Sequence, residues 1–200
     1  ELQMTNDELH DLLGISSKEH LSRTALLGML AVKEVMSCVD IDFSKRVGLV
    51  SSTSVGGMDL SEHFFEDFMQ DSTKGRLRDV KMHDCAASTD VIAKYCGING
   101  YTTTISTACS SAANAVMTGV KLLKHNIVDY VLVGGTDALS AFTLNGFKSL
   151  MILDENKCRP FDATRAGLNL GEGAGYLLLQ REEDASEYYA RVGGFANRND

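Results

Sequence analysis

"STACSSAANAV" (106–116) places a thiol between two runs of opposite character. Upstream, "YTTTIST" (101–107) is β-branched and reads as a strand. Downstream, "SAANAVMTGVKLL" (111–123) carries Ala, Val, Met and Leu at helical spacing. Cys109 falls at the corner between them. The start of a helix carries partial positive charge and unpaired N–H groups, and both favour an anionic sulfur. The same N–H groups can hold an oxyanion that develops on an attacked carbonyl. Ala108, Ser110, Ser111, Ala112 and Ala113 are small enough for a substrate to approach closely. The local physics therefore suits acyl transfer through a thioester. A free cysteine is also often a small buried apolar side chain. The local pattern leaves both readings open for Cys109, whereas Cys38, Cys85, Cys96 and Cys158 read as small hydrophobes.

Working outward, "TNDELHDLLGI" (5–15) reads as a short helix capped by Thr5 or Asn6, with Glu8 completing a capping box. "SSKEHLSRTALLGMLAVKEVMSC" (16–38) reads as one long helix and "RVGLVSSTS" (46–54) as a strand stopped by Gly56 and Gly57. Helices are predicted over 60–70, over 88–97 with Gly97 as the stop, and over 144–150. "KGRLRDVK" (74–81) reads as a basic loop. "DYVLVGGTDA" (129–138) is a fully apolar strand expected to end at Gly-Gly, and 173–180 and 190–198 read as two further, adjacent strands. Strands without polar alternation are buried on both faces, so helices cover both sides of the sheet and the class is α/β.

Composition narrows the function. The chain has 200 residues, 44% hydrophobic and 23% charged, enough for one sizeable core. A net charge of −8 argues against non-specific nucleic-acid binding, which depends on phosphate attraction. Five scattered cysteines without C-x-x-C show neither a disulfide framework nor a zinc site, which points to the cytoplasm. No apolar run reaches membrane-spanning length, so no membrane insertion is expected. "GLNLGEGAG" (167–175) precedes a strand rather than opening a helix. Tight turns therefore explain it better than nucleotide binding, with Asp162, Arg165 and Glu172 as candidates for structural ion pairs. No cofactor and no metal are expected.

Several blocks now line up. "TTISTACSSAANAV" (103–116) resembles the nucleophile motif of the β-ketoacyl synthases, the condensing enzymes of fatty-acid and polyketide synthesis. "DYVLVGGTDAL" (129–139) is similar to the family's next strand and glycine turn, and "RVGLVSSTSVGG" (46–57) to the strand and turn before the nucleophile. "NKCRPFDATRAGLNLGEGAGYLLLQ" (156–180) resembles the R-P-F-D…R-x-G…G-E-G-A-G block. The resemblance runs from about residue 16 to the end. It is strongest to bacterial type II synthases that work on a separate carrier protein.

The resemblance implies a thiolase-like fold in α/β/α layers with a mixed central sheet. It implies Cys109 as the acylated nucleophile, with its own N–H in the oxyanion hole. Acyl carrier protein would deliver acyl and malonyl thioesters for fatty-acid synthesis, with a polyketide or aryl-polyene ketosynthase as the alternative. A basic segment at this place in relatives touches the carrier, which suggests Lys74, Arg76, Arg78 and Lys81 as a docking patch; a solvated loop is the plainer account. Val55 and Phe147 match positions flanking the acyl pocket, and each also suits plain core. Strand 101–107 matches the segment through which relatives form homodimers.

The departures matter as well. The family needs two histidines in motifs beyond the cysteine, and none of His10, His20, His63, His83 and His125 sits in such a motif. His125 in "LLKHN" reads as a cation at a helix C-terminus. The family's opening strand is also missing. Residues 1–200 are therefore expected to be an incomplete N-terminal half-domain, lacking the first strand and the C-terminal half and unable to condense alone. The rival from a different class is a non-catalytic partner subunit. The family's decoy subunits, however, commonly lack the cysteine that this chain keeps.

Overall fold

The computed structural model describes residues 2–198. Thr5 opens α1 (Asn6–Leu13) through a complete capping box with Glu8, and Gly14 closes it in the left-handed conformation. The long helix predicted from residue 16 begins only at α2 (Arg23–Cys38). The Ser22 side chain caps it by accepting the Ala25 N–H at 3.2 Å, and the polar stretch before it forms turns. Then come β1 (Val47–Ser52), α3 (Met58–Gln70), α4 (Leu77–Val80) and α5 (Cys85–Tyr95). The expected basic loop thus contains one helical turn, anchored where His20 pairs with the buried Asp79. The second half of the chain adds β2 (Thr102–Ile105), α6 (Ser111–Lys124), β3 (Tyr130–Asp137), α7 (Ala141–Ser149) and β4 (Gly173–Gln180).

The sheet order is β2-β1-β3-β4. β1 runs parallel to both β2 and β3, and β4 returns antiparallel along β3 with Val133 opposite Leu177. Consecutive residues feed opposite layers. Leu49 and Leu132 join Leu26, Met29 and Ile92 in the core beneath α2 and α5. Val50, Val131 and Val133 join Ala115, Leu122 and Leu123 beneath α6. Every residue of β1 is buried, which is why its sequence shows no polar alternation.

Two of the sterically required glycines shape the strands around the site. Gly56 turns the chain after β1 with φ +57°, and a Cβ there would stand 2.8 Å from the His83 carbonyl oxygen. β3 does not stop at its glycines but runs through them to Asp137. A Cβ on Gly134 would lie 2.1 Å from the Gly175 carbonyl oxygen, so the missing side chain is what lets β4 pair there. Residues 190–198 form no strand. Phe195 instead lies 5.9 Å from Lys121 Nζ and 5.7 Å from Lys124 Nζ, and Asn197 donates to Asn114 Oδ1 at 3.0 Å. Gly193 and Gly194 give that stretch little tendency to extend.

Candidate active site

Parallel strands β1 and β3 end on the same side of the sheet, and β4 begins there. Ligands of open α/β sheets gather at this carboxyl edge. A cleft of about 320 Å³ opens at this place, lined by Ser52, Ser54, Ala108, Cys109, Ser111, Ala112, Gly135, Thr136, Asp137, Gly173 and Gly175. Small side chains dominate the lining, so the space is set by absent atoms. Cys109 is exposed and lies between the end of β2 and the first turn of α6.

The corner that carries it is sharp. Ala108 adopts φ +52°, a left-handed conformation that a non-glycine residue takes only when neighbours hold it. Ser111 supplies much of that hold. Its hydroxyl accepts the Thr107 N–H at 2.8 Å and donates to the Ala108 carbonyl at 2.7 Å, closing a loop around Cys109. The Ser110 hydroxyl donates to the Thr107 carbonyl at 2.8 Å, and Asn114 Nδ2 donates to Thr107 Oγ1 at 2.8 Å. The Ser54 hydroxyl reaches the same Ala108 carbonyl at 3.4 Å from the turn after β1. Among the described residues the Cys109 N–H donates to no backbone acceptor.

A second group of contacts braces the edge of the cleft from behind. Glu172, just before β4, is 1% exposed and receives the Arg23 guanidinium at 2.7 Å. It also accepts the Leu139 N–H at 3.2 Å, which pins the loop leaving β3. Hydrogen bonds from Arg23 outweigh desolvation and hold the Glu172 carboxyl down at about 2. Glu172 thus forms a structural ion pair, as expected, with a partner 149 residues away. Arg165 donates instead to the Asp162 carbonyl at 2.9 Å, and the Asp162 carboxylate accepts from Thr164.

The other sequence candidates are dispersed. Val55 is half-buried in the turn one residue beyond Ser54, and Phe147 is half-buried on α7; neither lines the cleft. Lys74, Arg76, Arg78 and Lys81 are all exposed around α4, with Leu77, 79% exposed, among them. Of the cysteines expected to be buried, only Cys96 is, and burial pushes its thiol up to about 12. Cys38, the last residue of α2, and Cys158, in the stretch between α7 and β4, are exposed, and Cys85 is half-buried. His125 follows α6, as its sequence setting suggests. Among the described residues no cluster of three His, Cys, Asp or Glu is arranged to hold a metal, and no helix is long and apolar enough to cross a membrane.

Sequence reasoning did not single out Asp137, Thr53, Ser54 or Arg23 as parts of the site. Asp137 had a usable signal: it ends an apolar strand immediately after a glycine pair, where the carboxyl edge of a parallel sheet is expected. Arg23 had none, since its partner is remote in sequence.

The model of the family described as "Beta-ketoacyl synthase, N-terminal domain" matches residues 3–185. Nodulation protein E of Rhizobium meliloti is 31% identical over 94% of this chain and 52% of its own length. The 3-oxoacyl-[acyl-carrier-protein] synthase 2 of Staphylococcus aureus is 26% identical over 99% of this chain and 53% of its own. The chain thus spans about half the length of these relatives. The Xenorhabdus doucetiae ketosynthase ApeO, solved in complex with its chain length factor ApeC, superposes with TM-score 0.69 at 31% identity, covering 86% of this chain and 44% of that one. The ishigamide ketosynthase/chain length factor reaches TM-score 0.77 at 24% identity over 82% of this chain and 42% of its own. The fold is thus the thiolase-like one of ketosynthases. With 183 of 200 residues inside the family match, the chain belongs to the β-ketoacyl synthase family and presents its N-terminal domain.

Proposed function

We propose that the protein is a condensing enzyme whose Cys109 carries the acyl chain. The Cys109 thiolate attacks the carbonyl of an acyl-carrier thioester and the oxygen takes the negative charge; the carbonyl then re-forms, the bond to the carrier sulfur breaks, and the carrier leaves as a thiolate that takes a proton from water. A malonyl-carrier then loses carbon dioxide, and its C2 carbanion attacks the acyl-enzyme carbonyl. The bond to Cys109 breaks, which returns the thiolate and yields a 3-oxoacyl-carrier. The observation that carries this reading is the exposed thiol on a left-handed corner at the start of α6, in a cleft of small residues. Fatty-acid synthesis is the primary reading, with a polyketide or aryl-polyene chain as the alternative product.

The remaining parts of the reading follow from the same assignment. Residues 1–200 act as one half of a double sandwich, and the histidines that polarise the malonyl thioester belong to the other half. Lys74, Arg76, Arg78 and Lys81 steer an acidic acyl carrier protein. Strand β2, at the open edge of the sheet, pairs with its copy in a homodimer. Five free thiols suit a reducing cytoplasm.

Iodoacetamide labelling with peptide mapping tests the assignment. Cys109 is expected to react ahead of Cys38 and Cys158, which are also exposed; equal labelling of all five thiols overturns the nucleophile and supports a non-catalytic partner. Given acyl- and malonyl-carrier, the 200-residue chain is expected to form an acyl-enzyme and no product, and steady release of 3-oxoacyl-carrier refutes the half-domain reading. In the whole protein, reversing Arg76 and Arg78 to Glu is expected to raise KM for acyl-carrier, and an unchanged KM removes the docking patch.

A further inference from the structure

The Asp137 carboxylate lines the same cleft as Cys109. Its Oδ1 accepts the Thr53 hydroxyl at 2.7 Å and the Ser54 N–H at 2.7 Å. Thr53 Oγ1 in turn accepts the Gly56 N–H at 3.1 Å. One carboxylate oxygen thus ties the end of β3 to the turn that follows β1. The Thr24 hydroxyl holds the far side of that turn by donating to the Gly56 carbonyl at 2.7 Å, which leaves the Ser54 side to Asp137. From there the Ser54 hydroxyl reaches the Ala108 carbonyl. Ala108 is the left-handed residue directly before Cys109. A line of contacts therefore crosses the sheet from β3, over β1, to the corner beyond β2.

The hydrogen bonds say what this group is for. Its contribution is an acceptor that takes two donors on one oxygen. We propose that Asp137 is a positioning residue that fixes the 53–57 turn and, through Ser54 and the Ala108 carbonyl, aims Cys109 into the cleft. This rests on the reading of Cys109 as the nucleophile. It adds a residue that acts on Cys109 through the 53–57 turn.

Alkylation of Cys109 by iodoacetamide, followed by peptide mapping across pH in the whole protein, separates geometry from charge. Asp137→Asn removes the charge and keeps an Oδ1 acceptor; Asp137→Ala removes both. At high pH, where the sulfur is fully ionised, the limiting rate is expected to fall about tenfold in Asp137→Ala, the scale of one lost hydrogen bond to a charged group. In Asp137→Asn it is expected to stay within about twofold of wild type. Equal limiting rates in the two variants overturn the proposal. If Asp137→Ala does not fold, Thr53→Val decides. It removes one of the two donors, together with the acceptor of the Gly56 N–H, at nearly unchanged shape, and an unchanged limiting rate there overturns the proposal. The ratio between variants is read at Cys109 whichever thiol of the wild type reacts first, so it is distinct from the test of the nucleophile itself.

Discussion

The two ends of the sheet are built from different materials. Where β1 and β3 begin and β4 ends, three long charged residues converge. Arg46 Nη2 lies 2.8 Å from Asp129 Oδ1, and Arg181 Nη2 lies 3.1 Å from the same atom. Arg181 also donates to the Asn126 side chain at 2.9 Å and the Val128 carbonyl at 3.1 Å. Hydrogen bonds from Arg46 and Arg181 hold the Asp129 carboxyl far below its usual range. At the opposite end the same strands meet in Ser52, Gly135, Thr136, Asp137 and Gly173, and the cleft opens around Cys109. Long side chains spread over backbone and close a surface, whereas small ones leave amides and a thiol within reach. The closed end is a fastener, and the open end is where a substrate can approach. The one large ion pair near the open end, Arg23 with Glu172, is buried behind the cleft rather than in it.

Substitutions at four positions break or sharpen that contrast. Cys109→Ala has the largest expected effect. In the whole protein, condensation falls by a factor on the order of 10³ or more, while the melting temperature holds because the side chain is exposed. Surviving condensation in a product assay would place the chemistry elsewhere. Glu172→Ala removes the buried carboxylate that receives the Arg23 guanidinium and the Leu139 N–H, and is expected to cost about 3–5 kcal/mol in denaturant unfolding. An unchanged midpoint would show the brace to be idle. Its pH dependence has a definite sign. The folded Glu172 carboxyl titrates at about 2 instead of 4.5, so its stabilisation is complete above about pH 4.5 and is lost as pH falls towards 2. Glu172→Gln is expected to flatten that part of the stability curve.

Gly134→Ala probes the join between the two ends. Its Cβ would meet Gly175 backbone that cannot swing aside, and a cost of about 1–3 kcal/mol is expected in the same unfolding measurement. Asp129→Asn should do least. It removes a carboxylate from the exposed fastener, so the melting temperature drops slightly and the drop shrinks in ~1 M salt, where charges are screened within ~3 Å. Cys109 labelling should not change; a slower rate would mean that the two ends are coupled.

Local chemistry made much of this legible. The capping box at Thr5 and Glu8, the stop at Gly97 and the strand-to-helix corner at Cys109 each depend on neighbours within a few residues. Other features turn on contacts that no short window contains. The helix predicted from residue 16 starts at Arg23 because Ser22 caps it and because Arg23 is drawn to Glu172. The strand expected to end at Gly134 continues because β4 needs the room. The stretch 190–198 has strand-like residues but no strand partner among the described residues.

Alone, the sequence determined the layered α/β class, the family and the thiol at the head of a helix. All three are written in periodicity and in motifs of adjacent residues, where side-chain pattern and backbone preference act at short range. Only the tertiary structure decided which distant groups meet. It set the order of the strands, the buried Arg23–Glu172 brace, and the approach of Asp137 to Ser54 beside Cys109. Those depend on burial and on hydrogen bonds between residues from 83 to 149 positions apart, and such bonds exist only once the chain has closed on itself.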